Sequence, residues 1–291
     1  MDEILGTEPV RIHVLPKSQR TGLTGGMENQ LKDSADAVRI VSYNILADAY
    51  IRRGRYPNAS ATALEPTARR QRLLDQLTQM RADIYCLQEV EPGVHDAISD
   101  QLGASFHGHY AGRRGRPDGC SIFARTDTPL ECDTLHYACE AKDDRLALIA
   151  NVNLNGRTLQ VVSTHLRWQR HSTSAAEHIG RRQLDELLRV LAGRPENPLT
   201  LIAGDFNANS QSCVLQAARE HNFVLSCQQQ RPWDTCNING RRRKIDYILY
   251  PKGALLPKPQ PLPKLEVGRS MPSALDPSDH LPVVVDMTFP G

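Results

Sequence analysis

Residues 199–209, L-T-L-I-A-G-D-F-N-A-N, decide how the rest of the chain is read. An apolar run, Leu201-Ile202-Ala203, breaks at Gly204 and delivers Asp205 and Asn207 two residues apart. That is how a buried strand runs out at a sheet edge, where alternate side chains share a face. The shared face would carry a carboxylate and an amide, a base beside a donor. Gly, Asp and Asn are also ordinary turn residues, so the stretch alone fits a polar turn equally well. Matching chemistry at other strand ends decides between the two.

Working outward, the pattern recurs. Residues 38–46 read as a strand with Asn44 near its end, and residues 83–90 as a second ending on Glu89. Pro117-Asp118-Gly119 turns into a third. Residues 146–154 and 158–163 flank Asn155-Gly156, a hairpin signal, and the second arm runs out into His165 and Trp168. Residues 244–250 carry Asp246, and Ser278-Asp279-His280 precedes a final strand at 283–287. Helices are predicted from Pro66, with Leu73, Leu74, Leu77 and Met80 on one face, and from Pro92. Two more are predicted over 174–191 (Leu184, Leu187, Leu188, Leu191) and about 211–220. Residues 251–277, rich in proline, read as loop.

The organisation predicted is a leader over residues 1–37, with one alternating stretch at 10–15, and a single α+β domain over 38–291 with seven or eight strands. A composition 40% hydrophobic and 23% charged is that of an ordinary globular protein. The formal net charge is only +2, although Arg113-Arg114-Gly115-Arg116 and Arg241-Arg242-Arg243-Lys244 are concentrated basic runs. The seven cysteines form no C-x-x-C pair, which argues for buried thiols in a reducing compartment, the cytoplasm, over zinc or a disulfide framework. No apolar stretch approaches the ~20 residues that span a bilayer, and the Asp2-Glu3 start is unlike a signal peptide. No leucine-rich repeat segment precedes the domain.

Polar residues therefore end nearly every strand: Asn44, Glu89, Asp118, His165, Asp205, Asn207, Asp246, Asp279 and His280. Acidic groups are expensive to bury unpaired, so such a cluster needs a cation or its own imidazoles. An oxygen-rich donor set favours Mg²⁺ or Mn²⁺ over zinc. A site of this kind suits hydrolysis of a phosphate ester.

Seven short motifs carry a family resemblance, in this order: S-Y-N-I-L at 42–46, L-Q-E-V at 87–90, P-D-G-C at 117–120, T-H-L at 164–166, G-D-F-N at 204–207, I-D-Y-I at 245–248 and P-S-D-H at 277–280. Together they resemble the exonuclease–endonuclease–phosphatase superfamily. The likeness is narrower to its deadenylase branch of Ccr4-type deadenylases, nocturnin, Angel proteins and 2′,5′-phosphodiesterases. The resemblance implies a two-sheet α/β sandwich flanked by helices, DNase I-like, with the site at one rim. It implies Glu89 as principal Mg²⁺ ligand supported by Asn44, Asp205 as base and Asn207 as oxyanion donor. His165 and His280 would hold phosphate oxygens, Asp279 would fix His280, and Asp246 would complete the acidic rim. Asp118, Arg116, Trp168, Arg241 and Arg243 are the substrate-binding candidates.

The remaining histidines carry no motif, and Trp233 and Tyr247 read as core. Two departures from the branch bear on substrate. Arg241-Arg242-Arg243 stands where an aromatic usually stacks on a base, and Asp143-Asp144-Arg145 where an Asn is usual. The function expected is Mg²⁺-dependent hydrolysis of RNA, as a 3′→5′ exoribonuclease of deadenylase type. The rivals are a nucleotide or RNA-end phosphatase (NADP(H) 2′-phosphate or a 2′,3′-cyclic phosphate), a 2′,5′-phosphodiesterase and, from another class, a non-catalytic RNA-binding module.

Overall fold

A computed structural model of the protein describes residues 37–139, 144–154, 156–170, 172–195, 198–226, 234–265 and 270–290. The expected stretch at 10–15, Asn155, Asp143 and Trp233 lie outside the described residues.

Strand β1 (Ala37–Asn44) is followed by a short helix α1 (Ala61–Leu64), helix α2 (Pro66–Met80) and strand β2 (Ile84–Val90). Pro66 sits at the start of α2, where the missing N–H is harmless, and Glu65 accepts from Thr67 N and Ala68 N to cap it. Helix α3 (Pro92–Leu102), then β3 (Phe106–Gly112), β4 (Gly119–Arg125), β5 (Glu131–His136), β6 (Leu146–Leu154) and β7 (Arg157–His165) follow. After them come α4 (Ile179–Ala192), β8 (Leu199–Asp205) and α5 (Cys213–Glu220). The chain closes with β9 (Phe223–Leu225), β10 (Cys236–Ile238), β11 (Arg241–Arg243), β12 (Asp246–Pro251), β13 (Leu256–Pro259) and β14 (Val283–Thr288).

One six-stranded sheet runs β13-β14-β1-β2-β4-β3, the other β5-β6-β7-β8-β12-β9, and β10-β11 is a separate ribbon. Period-two alternation assigns the faces. Val38, Ile40, Ile84 and Cys86 pack inward against Leu148, Ala150, Val161 and Leu201 of the second sheet. Val41, Tyr43, Tyr85 and Leu87 face outward onto Leu73 and Leu77 of α2 and Val94 and Ile98 of α3. Ile149, Val162, Ile202 and Tyr247 of the second sheet cover Leu184, Leu187 and Leu188 of α4 and Val214 and Leu215 of α5. The result is the expected two-sheet sandwich with helices on both outer faces.

The eight inner strands are the eight that the sequence pattern picks out. The six beyond them are the four sheet edges and the ribbon. Edges such as β5, E-C-D-T-L-H, are half exposed and lack an apolar run, and β13 carries two prolines, as an edge tolerates. Helix α4 starts at Ile179, five residues after the predicted 174, because extended His178 caps it and Gln169 Oε1 accepts the Ile179 N–H.

Candidate active site

Two parallel pairs, β1 with β2 and β7 with β8, end at the same rim. Their last residues include Asn44, His165 and Asp205. The antiparallel neighbours begin there: Asp246 is the register partner of Asp205, and Asp279-His280 leads into β14 against β1. Convergence is thus a consequence of topology. The backbone bends sharply at this rim, with left-handed φ at Leu46 (59°), Glu89 (55°) and Asn207 (50°), a conformation uncommon for non-glycine residues. Glu89 is the extra residue of a bulge between Gln88 and Val90, which re-aims its carboxylate. Gly204 is obligatory, since a Cβ there would lie 2.1 Å from the Thr164 carbonyl oxygen.

Asp205 is the hub. Its Oδ1 accepts from Asn207 N at 2.9 Å, and its Oδ2 accepts from Asn44 Nδ2 at 3.2 Å. His165 Nε2 lies 3.4 Å and His280 Nε2 3.8 Å from the same Oδ2. Burial and the nearby Asp246 carboxylate push the Asp205 acid up to about 7. Asn44 Nδ2 also donates to Glu89 Oε1 at 3.1 Å, so one amide ties the two carboxylates together across the sheets. Burial and then Asp279 raise Glu89 as well.

The expected partner of His280 is corrected. Nδ1 of His280 meets both oxygens of Asp246 at 3.0 Å. The Asp279 carboxylate lies 4.0 Å from the ring and accepts from Tyr56 OH at 2.9 Å. The reason is register: Asp246 opens β12 directly behind the ring, whereas the neighbouring Asp279 turns toward the segment after β1. Burial works against the imidazolium, but Asp246, Asp205 and Asp279 outweigh it and raise His280 well above its ordinary value.

His165 is built the opposite way. Asn207 Nδ2 donates to the Leu166 carbonyl at 3.0 Å and lies 3.0 Å from His165 Nε2. The carbonyl fixes the amide orientation, so Nε2 must accept and the ring is neutral. Burial, then Arg145 and Arg113, lower His165 well below the ordinary value. The two histidines expected to hold phosphate oxygens thus sit in opposite electrostatic settings. Asn207 likewise has both amide hydrogens engaged, rather than one aimed at an oxyanion.

A cleft of about 350 Å³ opens over this floor and is walled by Arg55, Arg113, Arg116, Arg145 and Arg243, with Tyr50 and Trp168 beside them. Trp168 is 49% exposed, so it is a groove residue rather than core. Asp118 does not line the cleft; it is fully buried, pairs with Arg113 at 3.1 Å and accepts from Tyr50 OH at 2.5 Å. Arg241 also stands off it, two residues before Arg243 on β11, next to the turn at Asn239-Gly240. Arg145, Tyr50 and Arg55 are cleft residues that strand-end reasoning missed. Arg145 had a signal, since it directly precedes β6 and so enters the rim beside His165.

The donor set fits a hard divalent cation at Glu89. The trio Asp205, Asp246 and His280 also lies close enough to hold an ion. Glu89 uses one oxygen for Asn44 and the other for Ala47 N at 3.2 Å, and still faces the cleft among buried carboxylates. His165 Nδ1, buried without a hydrogen-bond partner, lies 4.0 Å from Glu89 Oε1, and the carboxylate oxygens around it suit a hard divalent cation.

No helix of the described residues is long and apolar enough to cross a membrane. Human nocturnin is 25% identical over 289 residues, 87% of this chain and 65% of nocturnin, so the chain spans about two thirds of that relative's length. The solved catalytic domain of human nocturnin superposes with a TM-score of 0.68 at 23% identity, covering 88% of this chain and 94% of that one. The structure of ANGEL2, described as a 2′,3′-cyclic phosphatase, gives 0.72 at 19% identity over 87% of this chain and 96% of that one. The profile of the Endonuclease/Exonuclease/phosphatase family matches residues 41–280. The chain belongs to that family.

Proposed function

We propose that this protein is a divalent-metal-dependent phosphoester hydrolase acting on RNA, as a 3′→5′ exoribonuclease of deadenylase type in a reducing compartment. The observation that carries the reading is the cleft itself: an acidic floor of Glu89, Asp205 and Asp279 beneath a wall of arginines. Such a cleft pairs a cation site with a binding surface for a polyanion.

In this reading Glu89, oriented by Asn44, holds the ion, and a bound Mg²⁺ or Mn²⁺ supplies Lewis-acid neutralisation of phosphoryl charge. Asp205 takes the proton of the attacking water. An acid near neutrality makes a base matched to that task, active once it has lost its own proton. The water oxygen bonds to phosphorus and the P–O3′ bond breaks, so the terminal nucleotide leaves as a 5′-monophosphate. His280, charged and braced by Asp246, donates its Nε2–H toward a phosphoryl oxygen. Asn207 fixes the tautomer of His165. Trp168 and Arg243 offer a stacking face and a cation to the strand.

A second reading, a phosphatase on a nucleotide or RNA terminus, has the arginine wall in its favour. It also has the likeness to ANGEL2, which is described as a 2′,3′-cyclic phosphatase. Product sizing on end-labelled A-rich and mixed RNA with Mg²⁺ separates the two. A mononucleotide ladder supports the exoribonuclease, and free phosphate or cyclic-end opening without shortening supports the phosphatase. Binding without turnover at any metal concentration would leave only the non-catalytic module.

A further inference from the structure

We propose that Arg145 is a further catalytic residue of this cleft, its guanidinium gripping a non-bridging phosphoryl oxygen on the His165 side. The inference rests on the phosphoester-hydrolase reading above. A phosphoryl group under attack needs donors or cations on each exposed oxygen. On the His280 side the imidazolium backed by Asp246 supplies one. On the opposite side Asn207 has both amide hydrogens engaged, by the Leu166 carbonyl and by His165 Nε2. That pair brings no positive charge to the phosphoryl group. Arg145 brings one to the same corner: it lines the cleft together with His165, Glu89 and Asp205.

The chain fixes Arg145 from several directions. It is the last residue before β6, and the β6–β7 register, Ala147 opposite Thr164, sets it beside the exit of β7. Its carbonyl accepts from Tyr137 N at 3.1 Å, and its Nη1 donates to the His165 carbonyl at 3.4 Å. The preceding residue, Asp144, is gripped by Arg113 Nη2 at 2.6 Å and by Arg116 Nε. Arg113 is in turn held by buried Asp118. Two of the wall's arginines thus bind Asp144 from the neighbouring loop, one of them also Asp118 of its own, and act as a frame. Arg145 enters the cleft beside that frame. Asp144 is accordingly a positioning residue.

The test uses the full chain and a short A-rich RNA. Arg145→Ala should lower kcat by about 10²-fold with KM changed less than about threefold, the pattern of a lost transition-state donor. Arg145→Lys should keep part of the rate, since it keeps charge without the fork. Guanidinium ion, at concentrations that leave the thermal midpoint unmoved, should restore rate to Arg145→Ala and leave wild type unaffected. A loss smaller than about threefold, a loss confined to KM, or a folded variant that guanidinium does not rescue would overturn the assignment. If wild type hydrolyses neither RNA nor any nucleotide, the parent reading fails, and inorganic vanadate binding still decides this one. Wild type should bind vanadate about tenfold more tightly than Arg145→Ala, and equal affinities would overturn the clamp.

Discussion

The corner around His280 and the corner around His165 face one carboxylate oxygen of Asp205, at 3.8 and 3.4 Å. Sheet one supplies the first ring from the loop before β14, and sheet two supplies the second from the end of β7. Behind His280 stands a carboxylate, Asp246, buried and hydrogen-bonded by Thr235 Oγ1 at 2.5 Å. Beside His165 stand an amide, a carbonyl and Arg145. The same residue type is therefore a fixed cation in one corner and a neutral acceptor in the other. The difference teaches that the identity of a histidine says little about its charge; its second contact decides.

The largest effect should come from removing what the corners share. Asp205→Asn should lower kcat by at least about 10²–10⁴-fold, the usual contribution of a general base, with the thermal midpoint held or raised. Next comes the brace of the charged corner. Asp246→Asn should lower kcat by about 10²-fold and move the basic limb of the pH–rate profile to lower pH. The sign follows from the shift: Asp246 raises His280, so the cation persists to high pH, and without Asp246 it is lost as pH rises through a lower value. An unmoved basic limb would remove His280 from the profile.

The corners can then be compared directly. His165→Gln keeps an acceptor for Asn207 and should lower kcat by about tenfold or less, while His280→Gln, which deletes a charge, should lose several times more. Equal losses, measured as kcat on one substrate, would mean that both rings carry charge. The smallest effect concerns the frame under Arg145. Burial alone would raise Asp144, but Arg113 and Arg116 hold it below the usual range. Its stabilisation is therefore present above about pH 4 and is lost as pH falls through the lower folded value. Asp144 is partly exposed and screened, so Asp144→Asn should shift stability at pH 7 by no more than about 1 kcal/mol in urea titrations.

Most of this was legible in the chain, and the boundary is physical. Inner strands announce themselves because both faces are buried, so apolar runs such as 84–87 and 201–203 stand out. Edge strands and the β10–β11 ribbon do not, because one side meets water. The floor residues were legible because a buried strand has no use for a terminal carboxylate unless something binds it. Their pairings were not. Asp246 and Asp279 lie 33 residues apart in the chain, and only the antiparallel register of β12 on β8 sets Asp246 behind His280. The neutrality of His165 depends on a carbonyl one residue downstream, which no side-chain motif encodes. Residues 143–145 stood out only as a departure from the branch's usual Asn, and the sequence did not say that Arg145 enters the cleft.

The central claim is that Glu89 and Asp205 form one metal-dependent hydrolytic floor. Its most direct test is hydrolysis of labelled A-rich RNA by wild type, Glu89→Gln and Asp205→Asn across a Mg²⁺ titration. Wild type should shorten the RNA in a Mg²⁺-dependent way, Glu89→Gln should lose the metal response, and Asp205→Asn should show a rate loss that added Mg²⁺ does not restore. Unchanged Mg²⁺-dependent turnover in Glu89→Gln would contradict it.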